Sequence, residues 1–254
     1  MKITRAVFPS LFTVLNMFCG LLSIVYTGQQ DFMLGAWFII LAALFDSLDG
    51  LMARITKSAS AFGIEFDSLS DIISFGAAPA VLVFAVHLHT LEGLGVILSS
   101  FLLVFGGVRL ARFNTQIVGF DKEYFTGLPI PSSAITVASF VLMFYDNTMG
   151  LNSLTRNLLA PMVVVLSLLM VSRVKYDALP EFTRRGIKKH PWRFMAFTAG
   201  VVATVVTRGT AIFPFFVMFV LSGPLRSFLM TGWNTIHHVA KVEEEESEAT
   251  TIDF

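Results

Sequence analysis

Residues 45–71 read FDSLDGLMARITKSASAFGIEFDSLSD, and the four aspartates in this stretch, Asp46, Asp49, Asp67 and Asp71, stand between the apolar runs GAWFIILAAL and IISFGAAPAVLVFAV. An ionised aspartate at the centre of a membrane-crossing helix costs about 2.5 to 3.5 kcal/mol. Four of them so placed require something that cancels their charge. Asp46 and Asp49 lie three apart and Asp67 and Asp71 four apart, so each pair shares one face of its helix. If the two helices pack antiparallel across the connection ITKSASAFG, all four carboxylates converge at one end of the pair.

The composition says that a bilayer is involved. With 55% hydrophobic and 14% charged residues in 254, and a mean hydropathy of +0.73, the chain is far more apolar than a soluble domain of this length. Segments near 10–27, 33–53, 67–87, 94–113, 130–146, 154–172, 194–207 and 211–230 approach the roughly 20 residues that cross about 30 Å of hydrocarbon. The expected architecture is therefore all-α: a polytopic integral membrane helical bundle of about eight transmembrane helices, with six or seven as the alternatives. The eighteen Lys and Arg test the register. With the N-terminus in the cytoplasm, all except Arg156 and Arg208 fall on the cytoplasmic side, a positive-inside pattern that dropping one span would invert. A cell-membrane protein with its aspartates open to the cytoplasm follows.

Smaller features exclude other classes. The single Cys19 lies in the first span and permits no disulfide framework. No cleavable signal peptide is evident, because the first apolar segment is followed by YTGQQDF. MKITRAVFPS suits an interfacial segment, Arg184–Arg193 an ordinary basic loop, and EEEESEATTIDF an acidic disordered tail. Formal net charge is zero, and no nucleic-acid partner is expected. His87 and His89 fall on the opposite side from the aspartates.

Four carboxylates in a low-dielectric setting repel one another unless some are protonated or cations are bound. All-oxygen ligation points to hard divalent ions, Mg2+ or Mn2+, with Ca2+ also able to occupy such a site. Two ions would balance four charges, and paired metals steady phosphoryl oxygens in an in-line displacement. Gly50 and Ala53 lie on or beside the same face and leave room for a phosphate, and Arg54 supplies a positive fork for it. The carboxylates alone suit equally an ion or proton pathway in a cation transporter.

Written out, the stretch is Asp46-x2-Asp49-Gly50-x2-Ala53-Arg54-x8-Gly63-x3-Asp67-x3-Asp71. It resembles the signature of the CDP-alcohol phosphatidyltransferases, membrane enzymes that exchange the CMP of a CDP-linked lipid for an alcohol. LFTVLNMFCGLLSI, EFDSLSDIISFGAAPA, RLARFN and FTGLPIPSSA are similar to the serine-using branch of that family, over about residues 1–180. The family's Pro-Asn-x-x-Thr opening is matched at Pro9 and Thr13, with Ser10 in place of the asparagine.

The resemblance implies transfer of the phosphatidyl group of CDP-diacylglycerol to the hydroxyl of L-serine, giving phosphatidylserine and CMP. A sibling enzyme using glycerol 3-phosphate or an inositol phosphate is the near alternative. It implies metal binding by Asp46, Asp49, Asp67 and Asp71, with Asp71 also the general base. It implies CDP binding by Asp49, Gly50, Ala53, Arg54 and Gly63, with Ser60 near the phosphates. Charge and resemblance together make Arg109 and Arg112 the expected acceptor-binding residues, while Asn114 is read as a substrate contact or a helix cap. A homodimer is implied too. The expected division is 1–9 interfacial segment, 10–180 catalytic membrane domain, 181–234 C-terminal transmembrane extension and 235–254 acidic tail.

Overall fold

The computed structural model describes residues 7–56, 60–116, 124–177, 207 and 209–228. Helices α1 (Val7–Gly28) and α2 (Phe32–Thr56) form an antiparallel hairpin. Its tight link uses Gln30 at φ 66°. Ser60 then caps α3 (Ala61–Asp71), its Oγ accepting the Gly63 N–H at 3.0 Å. Without a break, α3 continues through a π-helical turn, Ile72–Ala77, into α4 (Ala78–Val86), giving one rod of 26 residues. A 3-10 turn, Leu88–Leu91, leads to α5 (Glu92–Gln116). Helices α6 (Ile130–Phe144), α7 (Ser153–Val171) and α8 (Ile212–Phe228) follow.

The π turn has a local cause. Pro79 has no N–H for the carbonyl of Phe75, and its ring crowds that carbonyl. The helix widens just upstream instead, with the Ala78 N–H reaching back five residues to the carbonyl of Ile73. Pro79 thus leaves the rod continuous and places a wider turn directly after Asp71. The small residues beside it allow close approach, as expected of helices packed without a hydrophobic drive between them. A Cβ on Gly76 would lie 3.1 Å from Leu103 Cδ1 of α5.

Among the described residues, five helical segments are long and apolar enough to cross a membrane: Leu11–Gly28, Phe32–Ala53, Ala61–Val86, Leu88–Thr115 and Ser153–Val171. Helices α6 and α8 are shorter, which fits the packing of α6. Its face from Ser132 to Val141 is almost wholly buried between α2, α4 and α7, so it is a central helix more than a lipid-facing one. Each helix corresponds to an expected span. The remaining one, 194–207, lies outside the described residues except for Thr207 at its end, as do the interfacial residues 1–6, the Arg184–Arg193 loop, Lys122, Arg208 and the acidic tail.

The helical architecture carries one addition. Strands β1 (Tyr124–Thr126) and β2 (Lys175–Asp177) pair antiparallel and tie the approach to α6 onto the exit from α7. Gly127, at φ 82°, donates its N–H to the carbonyl of Val174 at 2.8 Å, and a Cβ there would run into the backbone of Met170. Tyr176 of β2 is fully buried and donates its hydroxyl to the carbonyl of Val220 in α8 at 3.1 Å. Strands of three residues, some fifty apart in sequence, are too short to leave a periodic pattern.

Candidate active site

The antiparallel course of α2 and the α3–α4 rod brings Asp46 and Asp49, near the end of α2, level with Asp67 and Asp71, near the start of the rod. Carboxylate oxygens of Asp46, Asp67 and Asp71 all lie within 4.8 Å of one another. At that separation, and an effective dielectric of about 20, each ionised pair repels by at least about 3 kcal/mol. Three such pairs are not held together without protons or a cation. The donors are all carboxylate oxygens, the set that suits Mg2+, Mn2+ or Ca2+.

Asp49 is held apart from that trio by α1. Its Oδ2 accepts a hydrogen bond from Thr13 Oγ1 at 2.7 Å, and it is only 8% exposed. Its other oxygen, Oδ1, is buried with no hydrogen-bond partner among the described residues. A buried carboxylate oxygen lacking a donor is what a cation would satisfy, so the residues present fit a divalent metal.

Asp71, 9% exposed, accepts from Asn16 Nδ2 at 3.3 Å. The backbone of α1 is engaged as well: Ser70 Oγ donates to the carbonyl of Thr13 at 3.1 Å, and Ser74 Oγ to that of Asn16 at 2.8 Å. Thr13 and Asn16 belong to a buried face of α1 that continues through Gly20, Ser23 and Thr27 at helical spacing. Sequence reasoning assigned no role to Asn16, Ser70 or Ser74. The available signal was the presence of a threonine and an asparagine three residues apart in an otherwise apolar span.

The other expected residues divide by position. Gly50 is exposed, and among the described residues nothing lies within 4 Å of a Cβ placed on it, so the surface beside Asp49 is open. Ala53 is partly buried, and Arg54 lies one residue on in α2. Ser60 uses its Oγ to accept the Gly63 N–H, and a Cβ on Gly63 would sit 3.1 Å from that oxygen. Arg109 and Arg112 differ sharply. Arg109 is 9% exposed, lies near enough to Asp71 for the two charges to interact, and has a buried Nε with no partner among the described residues. Arg112 donates to the carbonyl of Val171 at 3.3 Å, bracing the end of α7. Asn114 is no helix cap, since α5 runs on to Gln116; its Nδ2 donates to Ser68 Oγ at 3.0 Å and ties α5 to α3. His87 and His89 lie between α4 and α5 at the far end of the bundle, where His89 Nδ1 meets the carbonyl of Phe84 at 3.2 Å.

The spacing from Asp46 to Asp71 predicts four converging carboxylates, of which Asp46, Asp67 and Asp71 meet while Asp49 turns to Thr13, and the family profile described as CDP-alcohol phosphatidyltransferase matches residues 6–174. The chain belongs to that family. Among relatives, the CDP-diacylglycerol–serine O-phosphatidyltransferase of Helicobacter pylori is 38% identical over 191 residues, 75% of this chain and 76% of that protein. The archaetidylserine synthase of Methanothermobacter thermautotrophicus is 37% identical over 179 residues, 69% of this chain and 72% of that one. The CDP-diacylglycerol–serine O-phosphatidyltransferase of Bacillus subtilis is 30% identical over 184 residues, 72% of this chain but 97% of the relative. As a family member, this multi-pass protein is a transferase whose signature aspartates occupy one end of its helical bundle.

Proposed function

We propose that this chain transfers the phosphatidyl group of CDP-diacylglycerol to the hydroxyl of L-serine, releasing CMP. The observation that carries the reading is the meeting of Asp46, Asp67 and Asp71 within 4.8 Å, at the spacing of the family signature. Serine as acceptor is supported by the names of the bacterial relatives, and the archaeal one is likewise a serine lipid synthase.

Asp46, Asp49, Asp67 and Asp71 are the residues that would hold two divalent ions, Mg2+ or Mn2+. When bound, these ions would supply Lewis-acid neutralisation of the charge on the diphosphate. Asp71 takes the proton of the serine hydroxyl as its oxygen attacks the β-phosphorus, and the bond to the CMP phosphate breaks. Asp49, Gly50, Ala53, Arg54, Ser60 and Gly63 form the CDP-binding strip, where the open surface at Gly50 lets a phosphate approach the backbone. Arg109 offers the carboxylate of serine a buried guanidinium whose Nε has no partner among the described residues, whereas Arg112 already has a backbone partner.

In this reading the site faces the cytoplasm of a cell-membrane protein, acyl chains enter sideways from the bilayer, and the enzyme is a homodimer. The near-complete coverage of the Bacillus subtilis relative supports a catalytic domain over 10–180 followed by a separate C-terminal extension. An acceptor panel tests the function. Purified protein is supplied with labelled CDP-diacylglycerol, Mn2+ or Mg2+, and serine, glycerol 3-phosphate, inositol phosphate or water in parallel. CMP release with serine alone is expected, and release with glycerol 3-phosphate in its place overturns the acceptor assignment.

A further inference from the structure

Helix α1 contributes no carboxylate to the site, yet two of its residues contact the carboxylates of two other helices. Thr13 Oγ1 donates to Asp49 of α2 at 2.7 Å, and Asn16 Nδ2 donates to Asp71 of the α3–α4 rod at 3.3 Å. Both side chains are almost wholly buried, at 3% and 0% exposure. The same two residues accept, through their backbone carbonyls, the hydroxyls of Ser70 and Ser74. Each therefore makes two different bonds. The side chain orients a carboxylate, while the main chain fixes the rotation and height of the rod that carries Asp71.

The chemistry of Asn16 makes its choice specific. Its amide nitrogen faces Asp71, and its amide oxygen, Oδ1, is buried without a donor among the described residues. Leaving a buried acceptor unsatisfied is destabilising, so packing alone would favour leucine at this point in an apolar span. A carboxyl in its place would add a fourth anion beside Asp46, Asp67 and Asp71. The carboxamide is a neutral side chain of this size and shape that can donate to Asp71. A metal-binding group is commonly aimed by a hydrogen bond of this kind, whose loss typically weakens metal affinity or activity about 10- to 100-fold.

We propose that Asn16, together with Thr13, is a positioning residue: α1 aims Asp71 and Asp49 by side-chain hydrogen bonds, while its carbonyls clamp the rod through Ser70 and Ser74. This rests on the reading of the aspartates as a divalent-cation site. Substituting the side chain at position 16 leaves the Ser74-to-backbone bond available, so the helix packing and the aiming of the carboxylate are separable.

The test measures Mn2+ binding to purified full-length protein without substrate, from the loss of the free-ion paramagnetic signal, alongside kcat and the KM for each substrate. Asn16→Leu is expected to raise the Mn2+ dissociation constant at least about tenfold and to lower kcat more than it changes the KM for serine. In an Asp71→Asn background the same substitution should change Mn2+ affinity no further, since the group it aims is already altered. Thr13→Val should weaken Mn2+ similarly, and Thr13→Ser, which keeps the hydroxyl, should restore it. Thermal unfolding of each variant identifies any that fail to fold, and the Thr13 pair then carries the test. Wild-type Mn2+ affinity and kcat in both Asn16→Leu and Thr13→Val overturn the inference and leave the acceptor panel untouched. Equal losses from Asn16→Leu in the wild-type and Asp71→Asn backgrounds overturn it as well, since they mark a general packing role. A wrong acceptor in the panel would instead overturn the serine reading without altering the Mn2+ result.

Discussion

Gly20→Ala tests how tightly α1 must seat against the π turn. An added Cβ would lie 2.7 Å from Ser74 Cα and 3.0 Å from Ser74 Cβ, and closer still to the Ser74 hydroxyl oxygen. Ordinary carbon–carbon contacts are about 3.5 to 4.0 Å, so the two helices must part by nearly 1 Å or Ser74 must move. Ser74 is backbone-locked in the π turn, and its hydroxyl is committed to the carbonyl of Asn16. Overpacking of this kind costs about 1 to 3 kcal/mol, and loss of the serine hydrogen bond about 1 more. Against these stands about 1 kcal/mol gained by replacing a mid-helix glycine with alanine. The net is about 2 kcal/mol of destabilisation, or a fall of about 4 to 8 °C in the unfolding midpoint for a chain of this size. Catalysis should suffer more than stability, because Thr13 and Asn16 move with α1, and a 1 Å misplacement can cost about 100-fold in rate. Thermal unfolding and CMP release are measured in the same micelle, with Gly28→Ala as the control: it is in the same helix, and a Cβ there meets none of the described residues within 4 Å. Wild-type unfolding temperature and wild-type turnover in Gly20→Ala would refute the close-approach argument.

Asp71→Asn should abolish CMP release while leaving the fold intact; normal turnover in a CMP-release assay would remove Asp71 as the base. Arg109→Lys should raise the KM for serine about 10- to 100-fold, the worth of one lost charge-assisted hydrogen bond, while Arg112→Lys should leave it within about twofold, as read from serine titrations. At the far end of the bundle, exposed Asp146 accepts hydrogen bonds from the Thr148 hydroxyl, the Thr148 N–H and the Met149 N–H, and these hold its carboxyl below the usual aspartate range. A depressed value means that the turn is favoured above the unfolded value, near 3.9, and loses that support only as pH falls further, through the folded value. The amide resonances of Thr148 and Met149 should therefore stay constant from pH 7 to pH 5, and move in Asp146→Asn at all pH values.

Much of the architecture is legible because hydropathy and charge placement are local and strongly constrained in a membrane. Runs of apolar residues have to become helices, since no water is available to satisfy an open backbone, and the positive-inside count sets their alternation. Pro79 and its small neighbours are visible in the sequence, but their outcome is a π turn and a continuous rod, decided by how the chain re-routes one carbonyl. The β1–β2 ribbon left no pattern, because three-residue strands are held by a partner far along the chain and by Tyr176 under α8.

The sequence by itself determined the helix count within the described residues, the alternation of ends and the pairing of aspartates on two helix faces, because these follow from spacing along single helices. Tertiary packing alone decided which groups touch. It brought Asp46, Asp67 and Asp71 together, turned Asp49 to Thr13, placed Asn16 on Asp71, and separated a buried Arg109, whose Nε meets no partner among the described residues, from an Arg112 engaged at Val171. Spacing tells which face a side chain occupies, but the rotation and height of one helix against the next arise from contacts between residues far apart in the chain. Here Ser70 and Ser74 set them, through their bonds to the carbonyls of α1.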